Sequence, residues 1–72
     1  MYRKAAQLAY NYRDSKNRKN YASTARARYG AEVWALALRL LAKIEEVEAE
    51  LPDRCRAAVE AEAVRRLEGS PQ

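Results

Sequence analysis

The chain has 72 residues and a formal net charge of +4, with no histidine, no phenylalanine and a single cysteine. This composition excludes a disulfide within the chain, zinc sites of the usual kinds and catalysis by an imidazole base. A core of this size buries only about 60% of the surface that the unfolded chain exposes, so we expect self-association to support the fold.

The composition predicts one all-α domain, because alanine occurs 15 times while glycine and proline occur only twice each. The sequence shows no secretory signal and no apolar run long enough to span a bilayer. We therefore expect a cytoplasmic protein without membrane contact. We also expect no enzymatic activity, cofactor, metal or small-molecule substrate, since the chain carries no glycine-rich phosphate loop and no set of metal-binding side chains.

A short first helix is predicted over residues 2–13. Apolar side chains recur there at helical spacing, at Met1, Ala5, Leu8, Ala9 and Tyr12. Residues 14–20 contain no apolar side chain and several turn-forming ones, which is typical of a solvated connection.

A long second helix is predicted over residues 21–51. Its apolar positions, spaced three and four residues apart, are Ala22, Ala25, Tyr29, Val33, Leu36, Leu40, Ile44, Val47 and Leu51. This eleven-residue repeat lets a nearly straight helix keep one face inward, and it passes through Gly30 without a change of phase. We therefore favour one continuous helix, in which the glycine costs up to about 1 kcal/mol, and the pattern leaves open whether Gly30 kinks or breaks it.

A third helix is predicted over residues 53–68, because Pro52 disfavours helix at the preceding residue and suits the start of a new one. Its apolar face consists of Cys55, Val59, Ala63 and Leu67, and Cys55 is expected to be a small buried hydrophobe. Residues 69–72 are expected to be a frayed tail. The tight connection between the second and third helices predicts an antiparallel helical hairpin.

A second apolar stripe, formed by Trp34, Leu38 and Leu41, lies beside the first one on the long helix. A helix with two apolar stripes needs more than one neighbour. Two hairpins that dimerise into a helical bundle would cover both stripes, which favours a twofold-symmetric homodimer. In the alternative, the first helix folds back over the second stripe of its own chain and forms a monomeric bundle.

Charge is distributed unevenly along the chain. Residues 1–29 carry eight basic side chains, one acidic side chain and all five tyrosines, whereas residues 30–72 have a net charge of −3. Lysine and arginine neutralise phosphates and tyrosine rings stack on unpaired bases, so this pattern indicates nucleic-acid binding by a small non-enzymatic regulator. The candidate phosphate contacts are Arg13, Lys16, Arg18, Lys19, Arg26 and Arg28, with Tyr10 and Tyr21 as candidate stacking residues.

The alternative function is a protein-binding inhibitor or adaptor, of the kind encoded by phages and other mobile elements, that docks on a larger host protein. Tryptophan, tyrosine and arginine dominate such interfaces. The candidate interface residues are Tyr29, Val33, Trp34, Leu38 and Leu41, for which packing inside the fold or a dimer is the simpler interpretation. An acidic cluster is formed by Glu45, Glu46, Glu48, Glu50 and Asp53. We expect it to pair with the basic segment of a second chain in an antiparallel dimer, in preference to docking on a basic partner or mimicking phosphate, because exposed charge clusters are usually solvated or locally paired.

Overall fold

The computed structural model describes residues 2–52 and 55–69, and all regular structure in these ranges is helical. The helices are α1 (Tyr2–Asp14), α2 (Arg18–Tyr29), α3 (Ala31–Glu50) and α4 (Arg56–Gly69). The predicted all-α class is therefore confirmed. Across these two ranges, no helix combines the length and the apolar composition that crossing a bilayer requires.

The connection between α1 and α2 spans residues 15–17 and is shorter than the predicted 14–20. Asn17 caps α2, because its side-chain oxygen accepts a hydrogen bond from the backbone N–H of Asn20 at 3.1 Å. This cap stabilises the start of α2, whose first residues are polar and form no apolar stripe. Lys19 and Asn20, expected in a loop, therefore lie on the exposed side of α2.

The predicted continuous helix over 21–51 is wrong, because the chain breaks at Gly30. This glycine has φ 97° and ψ 157°, a conformation that is open to glycine and to almost no other residue. Its N–H donates to the carbonyl oxygen of Arg26 and closes α2, while its own carbonyl accepts from Trp34 in the first turn of α3. Gly30 thus ends one helix and begins the next, so α2 and α3 are separate elements.

α3 lies at the centre of the core and packs against the other three helices. Its side chains Leu40, Ile44 and Val47 are fully buried. The face of α1 that enters the core is rich in alanine, with Ala5, Ala6, Leu8 and Ala9 buried. Small side chains allow two helix axes to approach closely, so α1 lies directly on α3.

The second apolar stripe of α3 is covered largely by its own chain. Trp34 and Leu41 are only 7% and 9% exposed, so the expectation that a second copy must cover them is wrong. Their burial results from α1 folding back onto α3, as in the monomeric alternative. Leu38 is the member of the stripe that stays exposed, with 42% of its surface accessible.

α4 packs against α3 through Val59, Ala63 and Leu67, which are buried as predicted. Cys55 precedes this helix and is exposed, so its predicted burial is wrong; the buried face begins one turn later at Val59. The predictions for Met1, for a helical start at 53–54 and for a tail at 70–72 fall outside the described residues.

Candidate nucleic-acid interface

The exposed side of α2 carries basic and small polar side chains and no acidic one. The residues from Arg18 to Tyr29 include no aspartate or glutamate at all. Exposed on this helix are Arg18, Lys19, Asn20, Ser23, Thr24, Arg26, Ala27 and Arg28. A single helix therefore presents four cations without a carboxylate of its own to neutralise them.

Helical geometry sorts these side chains into a strip and two edges. At 100° per residue, Asn20, Ser23, Thr24 and Ala27 fall within a sector of about 100°, which we call the polar strip. Lys19 and Arg26 lie to one side of the polar strip, and Arg28 lies to the other. α2 thus has small, mostly hydrogen-bonding side chains along one exposed line and long cationic side chains on both flanks.

The opposite side of α2 is held by an aromatic cluster. The ring centroids of Tyr12, Tyr21 and Trp34 lie 5.3 to 6.5 Å apart, in tilted and edge-on arrangements. Aromatic pairs of this geometry each contribute about 0.5–1.5 kcal/mol beyond their buried area. Because the three rings come from α1, α2 and α3, the cluster fixes the orientation of α2 on the bundle.

The structure removes three residues from the predicted nucleic-acid set. Tyr10 is only 4% exposed, and Tyr21 is half-buried in the aromatic cluster, so as placed neither ring is free to stack on a base. Arg13 donates to Glu48 on α3 at 2.6 Å, and this hydrogen bond is the main cause of the raised pKa of Arg13. Sequence reasoning missed this, because the partner carboxylate lies 35 residues away.

The remaining predicted cations are accessible. Among the described residues, Lys16, Lys19 and Arg26 have no carboxylate within salt-bridge distance. Arg18 donates to the backbone carbonyl of Arg13 at 2.9 Å, and the Arg28 guanidinium lies 5.6 Å from the Tyr29 ring, yet both side chains stay exposed. The positive end of the α2 dipole adds to the charge near Arg18.

The predicted protein interface is mostly internal. Trp34 and Leu41 are buried, Tyr29 and Val33 are half-buried, and Leu38 is exposed. What remains is an open groove of about 800 Å³ between α2 and α3, which we call the α2–α3 groove. It is lined by Ala22, Ser23, Arg26, Ala27, Ala31, Trp34, Ala35 and Leu38. Ala27, Ala31 and Ala35 recur every four residues in the sequence, but only the structure shows that they are exposed.

Three members of the acidic cluster, Glu46, Glu48 and Glu50, form ion pairs with arginines on other helices of the same chain. Arg66 on α4 donates to Glu46, Glu50 and Glu62, which raises the pKa of Arg66 and lowers the pKa of Glu50 and of Glu62. The contact with Glu62 lies within α4 at i, i+4 spacing, and the other two contacts join α4 to α3. Asp53 lies outside the described residues.

Comparison of the chain with protein-family models, with curated proteins and with solved structures finds no match. In residues 2–52 and 55–69, no three acidic or cysteine side chains are grouped in a way that would hold a metal ion. The chemistry of the exposed side chains is therefore the basis for a functional proposal, and the surface of α2 is its most distinctive part.

Proposed function

We propose that this protein binds double-stranded DNA with α2 lying in the major groove. The observation that carries this proposal is the arrangement on α2: the polar strip lies between cationic flanks, with no acidic residue on the helix. A major groove about 12 Å wide admits one α-helix. With 12 residues, α2 is about 18 Å long and can follow the groove over several base pairs.

Each part of this surface has a role in DNA recognition. Asparagine pairs with adenine through two hydrogen bonds, serine and threonine bond to several base edges, and an alanine methyl group contacts the thymine methyl group. In this proposal Asn20, Thr24 and Ala27 face the bases. Lys19, Arg26 and Arg28 reach the phosphates on the two walls of the groove, which sets the position of the helix but not its sequence preference.

Duplex DNA fits this surface better than single-stranded nucleic acid. Sequence-tolerant binding of unpaired bases uses accessible aromatic rings. Here Tyr10 is buried and Tyr21 is packed against Tyr12 and Trp34, so the tyrosines serve the core and the support of α2. The hydrogen-bonding groups of the polar strip match groove edges instead.

The test is binding of a labelled random-sequence duplex of about 20 base pairs, followed by fluorescence anisotropy between about 50 and 200 mM salt. We expect steep weakening with salt, and we expect Arg28→Ala to reduce the salt slope by about one. Arg39→Ala is the matched control, because Arg39 is an exposed arginine that lies on α3 and not on α2. No binding at the lowest salt, or equal effects of the two variants, would contradict the proposal.

A second readout separates base contacts from phosphate contacts. Thr24→Ala is expected to change which sequences are selected from the random pool, while leaving the salt slope unchanged, because the threonine contributes no charge. Tighter binding of the corresponding single strand than of the duplex would refute the assignment to the major groove.

The second candidate function is protein docking at the α2–α3 groove, which the exposed Leu38 favours. The homodimer proposed from the sequence would now use this surface: Leu38 and the alanine-lined groove lie on the same face, so twofold pairing can seat each Leu38 in the groove of its partner. Sedimentation of the protein and of Leu38→Glu tests this, since the proposed dimer requires the variant to lose self-association. A single-chain mass at all concentrations refutes the dimer.

A further inference from the structure

We infer that a cleft between α1 and α4 binds a small phosphate monoester that carries hydroxyl groups. The cleft has a volume of about 380 Å³ and is lined by Arg3, Gln7, Tyr10, Asn11, Arg56 and Glu60. This volume is within the range of small-molecule sites, about 300–1,000 Å³. The inference is independent of the proposed DNA binding, because none of these residues belongs to α2.

Two helix faces supply the lining. Positions 3, 7, 10 and 11 of α1 follow helical i, i+4, i+7, i+8 spacing, and positions 56 and 60 are one turn apart on α4. Hydrogen-bond donors therefore converge from both sides. The inventory is two guanidinium groups, two amides and a phenol, with Glu60 as the one carboxylate.

Tyr10 is the feature that points to a ligand. The residue is only 4% exposed, and among residues 2–52 and 55–69 its hydroxyl finds no hydrogen-bond partner. A buried polar group without a partner costs about 1–3 kcal/mol, so a phenylalanine would suit this position better if only packing mattered. Burial is the main cause of the raised pKa of Tyr10, which keeps the hydroxyl protonated and able to donate.

The cationic groups of the cleft are available for an anion. Within the described residues, neither Arg3 nor Arg56 takes part in a hydrogen bond or an ion pair. The Arg56 guanidinium lies 3.8 Å from the centroid of the Tyr10 ring. Arginine stacked on an aromatic ring keeps its in-plane N–H groups free for bidentate contact with phosphate. In this proposal the exposed Arg56 side chain moves toward the anion, and the buried Tyr10 hydroxyl becomes accessible to the ligand.

The balance of donors and acceptors selects the class of ligand. Phosphate offers several oxygens to several donors, and its double negative charge matches the two arginines. Gln7 already accepts from Lys4 at 3.2 Å through its carbonyl oxygen, which leaves its amide N–H groups for the ligand. Glu60 repels a bare anion but accepts hydrogen bonds from hydroxyl groups on the remainder of the molecule. A sugar phosphate meets both requirements.

The experiment is an NMR titration of the full chain with ribose 5-phosphate, inorganic phosphate and ribose as separate probes. We expect saturable shifts on α1 and α4 with ribose 5-phosphate, weaker binding of inorganic phosphate and none of ribose. Shifts spread over all basic residues would indicate non-specific charge binding and would refute the site. The absence of saturable shifts at millimolar ribose 5-phosphate would refute it as well.

Tyr10→Phe removes the hydroxyl and keeps the ring under Arg56. We expect about tenfold weaker binding of ribose 5-phosphate, the effect of losing one hydrogen bond to a charged group, with no loss of stability to urea. Tyr12→Phe is the matched control and should bind as the natural chain does. Unchanged affinity of Tyr10→Phe overturns the inference. DNA affinity of Tyr10→Phe should be unaffected, so failure of this site is distinguishable from failure of the proposed function.

Discussion

Replacement of Gly30 by alanine favours helix locally but disfavours the backbone conformation that the tertiary fold requires at this position. At φ 97° and ψ 157° an L-residue is strained by about 1–3 kcal/mol. A Cβ atom built on Gly30 meets no atom of the part of the chain that the structure describes within 4 Å, so the penalty comes from the backbone conformation. Alanine also lowers the conformational entropy of the unfolded chain, which raises the free energy of unfolding by about 0.4–1 kcal/mol. We therefore expect a net loss of about 1–2 kcal/mol in the free energy of unfolding.

Urea denaturation followed by circular dichroism measures this loss, and thermal unfolding should show a decrease in Tm of about 4–8 °C for each kcal/mol. Gly69→Ala is the matched control, because Gly69 lies in α4 without a positive φ and its added Cβ meets no atom of the described ranges within 4 Å. That control should be neutral or slightly stabilising. A Gly30→Ala protein of natural stability and higher helix content would show that α2 and α3 can merge, and would refute the argument.

Two further predictions concern the core and the α3–α4 contact. Leu40 is 0% exposed and Leu38 is 42% exposed. We therefore expect Leu40→Ala to lower the free energy of unfolding by about 2–5 kcal/mol and Leu38→Ala by about 0.5 kcal/mol. Equal losses in urea denaturation would contradict the assigned core. Hydrogen bonds from Arg66 lower the pKa of Glu50 and of Glu62. The contribution of these two carboxylates to folding stability is therefore complete above the pKa of glutamate in the unfolded chain, about 4.3, and is lost as the pH falls through the lower pKa of the folded state. Stability measured against pH should therefore fall more steeply on acidification below about pH 4.3 in the natural chain than in Arg66→Gln, and parallel curves would refute this.

The spacing of apolar residues was sufficient to place most of the core. Leu40, Ile44 and Val47 lie on the predicted inward face of α3, and Val59 and Leu67 lie on that of α4. These faces follow from the helical period, which is a local property. The end of α2 at Gly30 could not be predicted from this spacing, because the apolar pattern continues through the glycine and a glycine costs only about 1 kcal/mol inside a helix.

The candidate site could be predicted only in part. Lys19, Arg26 and Arg28 were identified from charge alone, and all three are exposed. Arg13 was identified on the same basis, but Glu48 on a distant segment pairs with it. The role of Tyr10 could not be predicted either, since its burial depends on how α1 packs against other helices. Charge composition shows which side chains are cationic, but only the fold shows which are already neutralised.

The sequence by itself determined that the chain is helical, where its apolar faces lie and that its basic residues are concentrated in the first 29 positions. Those properties depend on neighbours within one or two helical turns. The tertiary structure decided that α1 covers Trp34, that α2 ends and α3 begins at Gly30, and that the polar strip is exposed. These outcomes depend on contacts between segments far apart in the chain, and no local pattern encodes which of several apolar faces a helix will cover.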